Sequence, residues 1–255
     1  AYAFSRLRFK GRRAGLLTLL LVQVFPQFLG FIALFLLAIQ VGETFNGFGV
    51  NSHTFLIMVY LGLELLALSS YTLVAFDRDS KRGSEAAMKY FVLGSIASGM
   101  LLYGMSMIYG ATGTLDLGGI ADAVRVNGTN DIMLVFGLVF LVVGLAFKLG
   151  LVPFHMWVPD TYDGAPTPIT AFLSPASKAA GFAVAGRLFI TALPNFQPDW
   201  TAILGALAIL TMSLGNFVAL RQTSVKRMLA YSYIAQAGYI LLGLAAINPS
   251  EPFNG

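Results

Sequence analysis

Predominantly apolar runs of about twenty residues alternate along this chain with short polar connections. Seven runs stand out: Gly15–Gln40, Thr54–Phe76, Lys89–Gly110, Asp131–Trp157, Pro168–Leu193, Thr201–Leu220 and Met228–Ile247. A helix rising ~1.5 Å per residue needs about 20 such residues to cross a ~30 Å hydrocarbon core, so each run is predicted to be a transmembrane helix. Pro26 predicts a tilt or kink in the first run. Gly150 and Pro153 predict a break near the end of the fourth. The pattern predicts an all-α polytopic membrane protein with about seven transmembrane helices. A basic N-terminal segment and first helix occupy residues 1–53, a helix bundle 54–247 and a final loop 248–255.

Composition sharpens this picture. The 255 residues are 57% hydrophobic and 11% charged, against roughly 25% charged in a soluble domain. The bilayer is therefore the main solvent, which excludes a soluble enzyme. Cysteine is absent, which excludes disulfides and thiolate metal sites. His53 and His155 make no metal-ligand spacing with each other or with a carboxylate cluster. Residues 1–13 are basic, but the apolar run that follows is too long for a signal peptide and lacks a small-residue cleavage site.

Loop charge sets orientation. Arg6, Arg8, Lys10, Arg12 and Arg13 precede the first run. Arg78, Lys81, Arg82 and Lys89 fall between the second and third, and Arg221, Lys226 and Arg227 between the sixth and seventh. With alternating helices, these twelve of the sixteen Lys and Arg share one side, and only Arg125 faces the other. The N-terminus is thus predicted inside. The net charge of +4 reflects this asymmetry and gives no reason to expect nucleic acid as a partner.

Three charges remain deep in apolar runs: Glu64, Lys148 and Lys178. Glu64 and Lys178 each lie ten residues into their runs, roughly 15 Å deep and near the midplane. Lys148 precedes the expected inner end of its run by nine residues, a similar depth. A charge there costs roughly 2.5–3.5 kcal/mol on insertion scales and marks a functional site by default. Glu64 reads as a carboxylate that exchanges a proton as a neighbouring lysine changes charge, or as half of a static ion pair. Lys148 reads as a proton site beside a helix break, since Pro153 cannot donate to the Leu149 carbonyl and a broken helix is tolerated only in protein or beside water; snorkelling to the interface is the alternative. Lys178 sits among small residues with Ser174 and Ser177, which leave room for water, and reads as a relay or a fixed ion pair. His155, two residues beyond Pro153, reads as a relay or an interfacial histidine. Lys226, Asp160 and Asp163 are accessory candidates. Lys226 reads first as a positive-inside anchor, and the two acids as solvated residues of a Pro159–Pro168 turn or an inner-side proton entry. Arg187 reads as snorkelling near the outer end of the fifth run.

The run Val152-Pro153-Phe154-His155-Met156-Trp157-Val158-Pro159-Asp160-Thr161-Tyr162-Asp163-Gly164-Ala165-Pro166-Thr167-Pro168, continued by Ala171-Phe172-Leu173-Ser174 to Lys178, resembles the antiporter-like subunits of respiratory complex I and their cation/proton antiporter relatives. Leu61-Gly62-Leu63-Glu64-Leu65 and Glu85-Ala86-Ala87-Met88-Lys89-Tyr90-Phe91-Val92-Leu93-Gly94-Ser95 look like the N-type subunit rather than the M- or L-type. The resemblance covers residues 54–247. It implies that Glu64 pairs with Lys148 on a broken helix and that Lys178 carries the proton on. His155 falls on the histidine that follows the break.

The resemblance also implies about fourteen helices in two inverted five-helix repeats, of which this chain supplies roughly one. Only one run precedes Glu64 where several are expected, and the second broken helix is absent, so the chain reads as part of a longer subunit. The implied function is proton translocation by a non-redox subunit of NADH:quinone oxidoreductase, driven by quinone reduction in partner subunits. The implied cofactors (NADH, flavin, iron–sulfur clusters and quinone) lie in those partners and none in this chain. The implied partners are neighbouring antiporter-like and small membrane subunits within a lipid bilayer, a bacterial plasma membrane rather than an organelle inner membrane. Two other readings stay open: a sodium/proton antiporter subunit, and a structural subunit with static ion pairs. Interhelical polar contacts average only ~0.6 kcal/mol in one membrane protein, so three buried charges make poor glue.

Overall fold

The computed structural model describes residues 55–77 and 79–247. The first predicted run with Pro26, the basic segment before it and the final loop 248–255 lie outside the described residues. Among the described residues there are helices and connections and no strand. The helices are α1 (Phe55–Val74), α2 (Lys81–Thr112), α3 (Leu117–Asn127), α4 (Ile132–Leu149), α5 (Trp157–Gly164), α6 (Thr167–Arg187), α7 (Gln197–Ala219) and α8 (Val225–Ala245). A wider π-helical turn, Leu188–Ala192, extends α6, and a 3₁₀ turn, Pro194–Phe196, leads into α7.

Short polar residues start these helices. The side chains of Ser80, Asp116 and Asp131 accept from the Gly83, Gly119 and Met133 amides at the heads of α2, α3 and α4. Such caps satisfy amides that no earlier turn can reach. The Ser80 cap starts α2 at Lys81, two turns before the predicted Lys89, so Lys81, Arg82 and Lys89 are helical rather than loop residues. α3 was not foreseen in the connection after Gly110; it is amphipathic, burying Leu117, Ile120 and Val124.

Two expectations around the fourth run need correction. The helix ends at Leu149, not near Trp157, because Gly150 takes the left-handed conformation (φ 70°) that ends a helix without a Cβ clash. The break expected from Gly150 and Pro153 is present and spans residues 150–156, with Pro153 inside it. The Pro159–Pro168 stretch, expected as a turn, begins inside helix α5. Pro159 sits in its first turn, where a missing amide donor removes no intrahelical bond.

Among the described residues, five stretches are long and apolar enough to cross a membrane: Leu56–Val74, Lys81–Thr112, Ile132–Leu149, Pro194–Ala219 and Val225–Ala245. They match the second, third, fourth, sixth and seventh runs. α6, which matches the fifth run and carries Lys178, is a 21-residue helix outside that set.

α2 packs on α4 and α7 on α8, while α5 lies against α2 and α8. The α2–α4 crossing is made by glycine: a Cβ at Gly104 would stand 2.8 Å from the Leu141 amide nitrogen and 2.9 Å from the Gly137 carbonyl. Small residues permit this approach, and dispersion then holds the helices together where lipid removes the hydrophobic drive. Gly104→Val is expected to lower the stability of the purified protein by about 1–3 kcal/mol through overpacking. Thermal melting in detergent measures this, with Gly99→Val, where an added Cβ meets nothing within 4 Å, as the neutral control.

Candidate functional site

Glu64 projects from α1 toward α2 and α4. Its Oε1 lies 3.4 Å from the Lys148 ammonium, with side chains 20% and 9% exposed, and it accepts a hydrogen bond from the Ser98 hydroxyl of α2. The Lys148 nitrogen is buried with no hydrogen-bond partner in the protein, so the contact is Coulombic rather than an aligned hydrogen bond. At 3.4 Å and an effective dielectric of ~20, the attraction is about 5 kcal/mol. Withdrawing each ion from water costs several kcal/mol. The two effects oppose each other.

Lys148 is the second-last residue of α4, not nine residues from its end. Its charge complements the negative end of the helix dipole. Several backbone groups at the break beside it bond to protein. The Leu151 amide donates to the Ala146 carbonyl at 2.8 Å, and the Phe147 carbonyl accepts from the Gly150 amide at 3.0 Å and from the Trp157 indole at 2.9 Å. The Val152 amide donates to Thr211 Oγ1 at 3.0 Å. The Val152–Pro153 bond is cis.

Lys178 stands apart from this pair. Its ammonium donates to the Tyr233 carbonyl of α8 at 2.8 Å and sits 3.6 Å above the centre of the same tyrosine's ring. Among the described residues, no carboxylate lies within ion-pair distance of it. Ser177 is buried beside it, and Ser174 is half-buried one turn earlier. His155 lies in the connection between α4 and α5; its carbonyl accepts from the Val158 amide at 2.9 Å, and its Nδ1 is buried without a protein partner. The structure therefore brings Glu64 and Lys148 together and sets Lys178 on a different neighbour.

The accessory candidates gather at the lysine- and arginine-rich side. Asp160 bonds Lys89 of α2 at 2.9 Å and Arg227 of α8 at 2.8 Å. Asp163 accepts from Ser224 Oγ at 3.0 Å, and the Lys226 ammonium donates to the Ala165 carbonyl at 3.0 Å. Both acids are thus helix-borne and bonded, not solvated turn residues. They line a cleft of about 230 Å³ with Arg82, Glu85, Lys89 and Arg227. Partial burial pushes the Asp160 carboxyl up, but the bonds from Lys89 and Arg227 outweigh it and hold the group below its ordinary 3.8. Among the described residues, no group of three His, Asp or Glu side chains is placed to hold a metal ion.

Sequence reading missed Ser98, Tyr233 and the bridge from Lys89 through Asp160 to Arg227. Each contact spans 34 to 71 positions, and no local pattern announces it. Ser98 is a hydroxyl in the apolar third run, but so are Ser95 and Ser106, so the sequence did not single it out.

The chain matches the family described as NADH:quinone oxidoreductase/Mrp antiporter, transmembrane, over residues 54–251. It is 57% identical over 195 residues to NADH-quinone oxidoreductase subunit N of Herminiimonas arsenicoxydans, covering 76% of this chain and 39% of that protein. A chain of Thermus thermophilus respiratory complex I with bound aureothin is 40% identical with a TM-score of 0.61, over 76% of this chain and 40% of the other. A chain of the Mrp complex from Dietzia sp. DQ12-45-1b is 25% identical with a TM-score of 0.68, over 75% and 36%. The chain spans about two fifths of the length of the curated relatives it matches.

Because its carboxyl is held below 3.8, Asp160 contributes stability in full above the ordinary carboxylate range. That contribution is lost as pH falls through the lowered value. Asp160→Asn is expected to lower the melting temperature of the purified protein at pH 7 and to flatten its fall below about pH 4. Parallel melting curves for the two proteins across that range would contradict this assignment.

Proposed function

The chain belongs to the NADH:quinone oxidoreductase/Mrp antiporter transmembrane family, and from that premise we propose that it is the N-type, proton-translocating membrane subunit of an NADH:quinone oxidoreductase. The observation that carries the proposal is the Glu64–Lys148 pair at 3.4 Å within the helix bundle. With Lys148 charged, the Glu64 carboxylate is stabilised. When Lys148 gives up its proton, a lone carboxylate is left in an apolar setting and draws a proton in turn. Lys178, with Ser174 and Ser177 beside it, exchanges protons with this pair, and His155 links the break to them. Lys226 and Asp163 act as accessory groups on the basic side.

In this reading the subunit holds no redox group. NADH, flavin, iron–sulfur clusters and quinone work in partner subunits, and quinone reduction supplies the drive. The partners are neighbouring antiporter-like and small membrane subunits in a bacterial plasma membrane. The bundle supplies roughly one of two inverted repeats in a fold whose span count here is seven. Likeness to a chain of the Mrp complex favours one second reading, a subunit that exchanges sodium for protons.

Lys148→Met in the assembled complex is expected to cut proton pumping coupled to quinone reduction by roughly tenfold or more, since a positioned proton-transfer group contributes ~10²-fold or more in rate. Glu64→Gln should act in the same direction. Normal pumping and turnover in an assembled Lys148→Met complex would sink the relay and leave a static pair. Dependence of proton uptake on sodium would move the assignment to the antiporter reading.

A further inference from the structure

In the proposed mechanism Lys178 carries a proton inside the bundle, yet among the described residues no carboxylate lies within ion-pair distance of it. Its neighbour is Tyr233 of α8. The Lys178 ammonium stands 3.6 Å above the centre of that ring and donates to the carbonyl of the same residue at 2.8 Å. An aromatic face carries the negative part of the ring quadrupole, so a cation over it is attracted, most strongly where water is excluded. Lys178 is 8% exposed and Tyr233 6%, which puts this contact at the strong end of the range.

Two further contacts fix the ring. Its hydroxyl meets that of Tyr162 on α5, with ring centroids 5.1 Å apart. Its Cε1 borders the break after α4, where a Cβ at Gly150 would stand 3.6 Å away. Gly150 lies two residues beyond Lys148. The ring therefore touches both the lysine of α6 and the end of the helix that carries Lys148.

An aromatic face differs from a carboxylate in its proton chemistry. A carboxylate can take the proton of the lysine it pairs with, and a ring face cannot. The ring also attracts the ammonium and not the neutral amine, so the side chain is held there while it carries its proton. We infer that Tyr233 is a positioning residue for proton transfer: its ring face serves the Lys178 ammonium as counter-group in place of a carboxylate and seats it beside the break. Lys178 then cannot discharge into its own counter-group, and its proton leaves only to a third group. This inference rests on the translocating function proposed above and gives Tyr233 a part in it.

The test uses the assembled complex with Tyr233 replaced by phenylalanine and by mono-, di- and trifluorinated phenylalanine. Each fluorine draws electron density from the ring face and barely changes its volume, and the backbone carbonyl is the same throughout. A desolvated cation–π contact is worth roughly thirtyfold in an equilibrium constant. Proton pumping coupled to quinone reduction is expected to stay within about twofold of normal in Tyr233→Phe and to fall stepwise with fluorination, by roughly fivefold or more in the trifluorinated variant. A ring that only packs would leave the four variants alike. Equal pumping across the assembled series overturns the assignment. So does a Tyr233→Phe variant as impaired as Tyr233→Leu, which would put the effect in the hydroxyl. If Lys148→Met stops pumping while the fluorinated series pumps normally, the seat at Tyr233 fails alone. If Lys148→Met also pumps normally, the underlying function fails.

Discussion

An ionised side chain withdrawn from water needs a counter-charge or a bonded neighbour inside the protein. Everything distinctive in this bundle follows from meeting that constraint three times. Glu64 meets it with Lys148 and Ser98 from two other helices. Lys178 meets it with a backbone carbonyl and an aromatic face, a weaker arrangement that leaves its charge uncompensated by any anion among the described residues. Asp160 meets it with two cations at the rim. The three solutions differ in how firmly each charge is held. Under the proposed function, those differences decide which groups exchange protons and which only brace the fold.

The brace is the short helix after the break. Gly150 ends α4, and the chain returns so that the Trp157 indole caps the Phe147 carbonyl one residue before Lys148. Trp157 in turn stacks on Tyr90 of α2 at 4.4 Å. Asp160, one turn further, ties the same helix to α2 and α8. The position of Lys148 is thus fixed from the basic side by a ring of contacts on α5, although none of them touches its ammonium. A Cβ at Gly164 would come within 2.8 Å of the Arg82 carbonyl, so the far end of α5 also lies directly on the α2 backbone.

Much of the architecture was legible in the sequence, because helix length and apolarity are local properties. The runs at Thr54–Phe76, Thr201–Leu220 and Met228–Ile247 correspond to α1, α7 and α8 with shifts of a few residues. Where the reading slipped, a cap was the cause. Ser80 began α2 early, and Gly150 ended α4 before Pro153 could. The turn-like composition of Pro159–Pro168 concealed α5, since proline in a first helical turn and proline in a loop look alike in sequence. Of the site, the placement of Glu64, Lys148 and Lys178 on helices of the bundle was readable, and the Glu64–Lys148 pairing was implied only by resemblance.

By itself, the sequence determined that this chain belongs in a bilayer, where its helices lie, and that three charges are buried among them. Each follows from transfer free energy summed over neighbouring residues, a quantity that needs no fold. Only the tertiary structure decided that Ser98 completes the Glu64 site, that Lys178 rests on Tyr233, and that Asp160 bridges Lys89 and Arg227. Those contacts join residues far apart in the chain. They depend on helix crossings set by glycine contacts and caps, and a few ångströms separate an ion pair from two isolated charges.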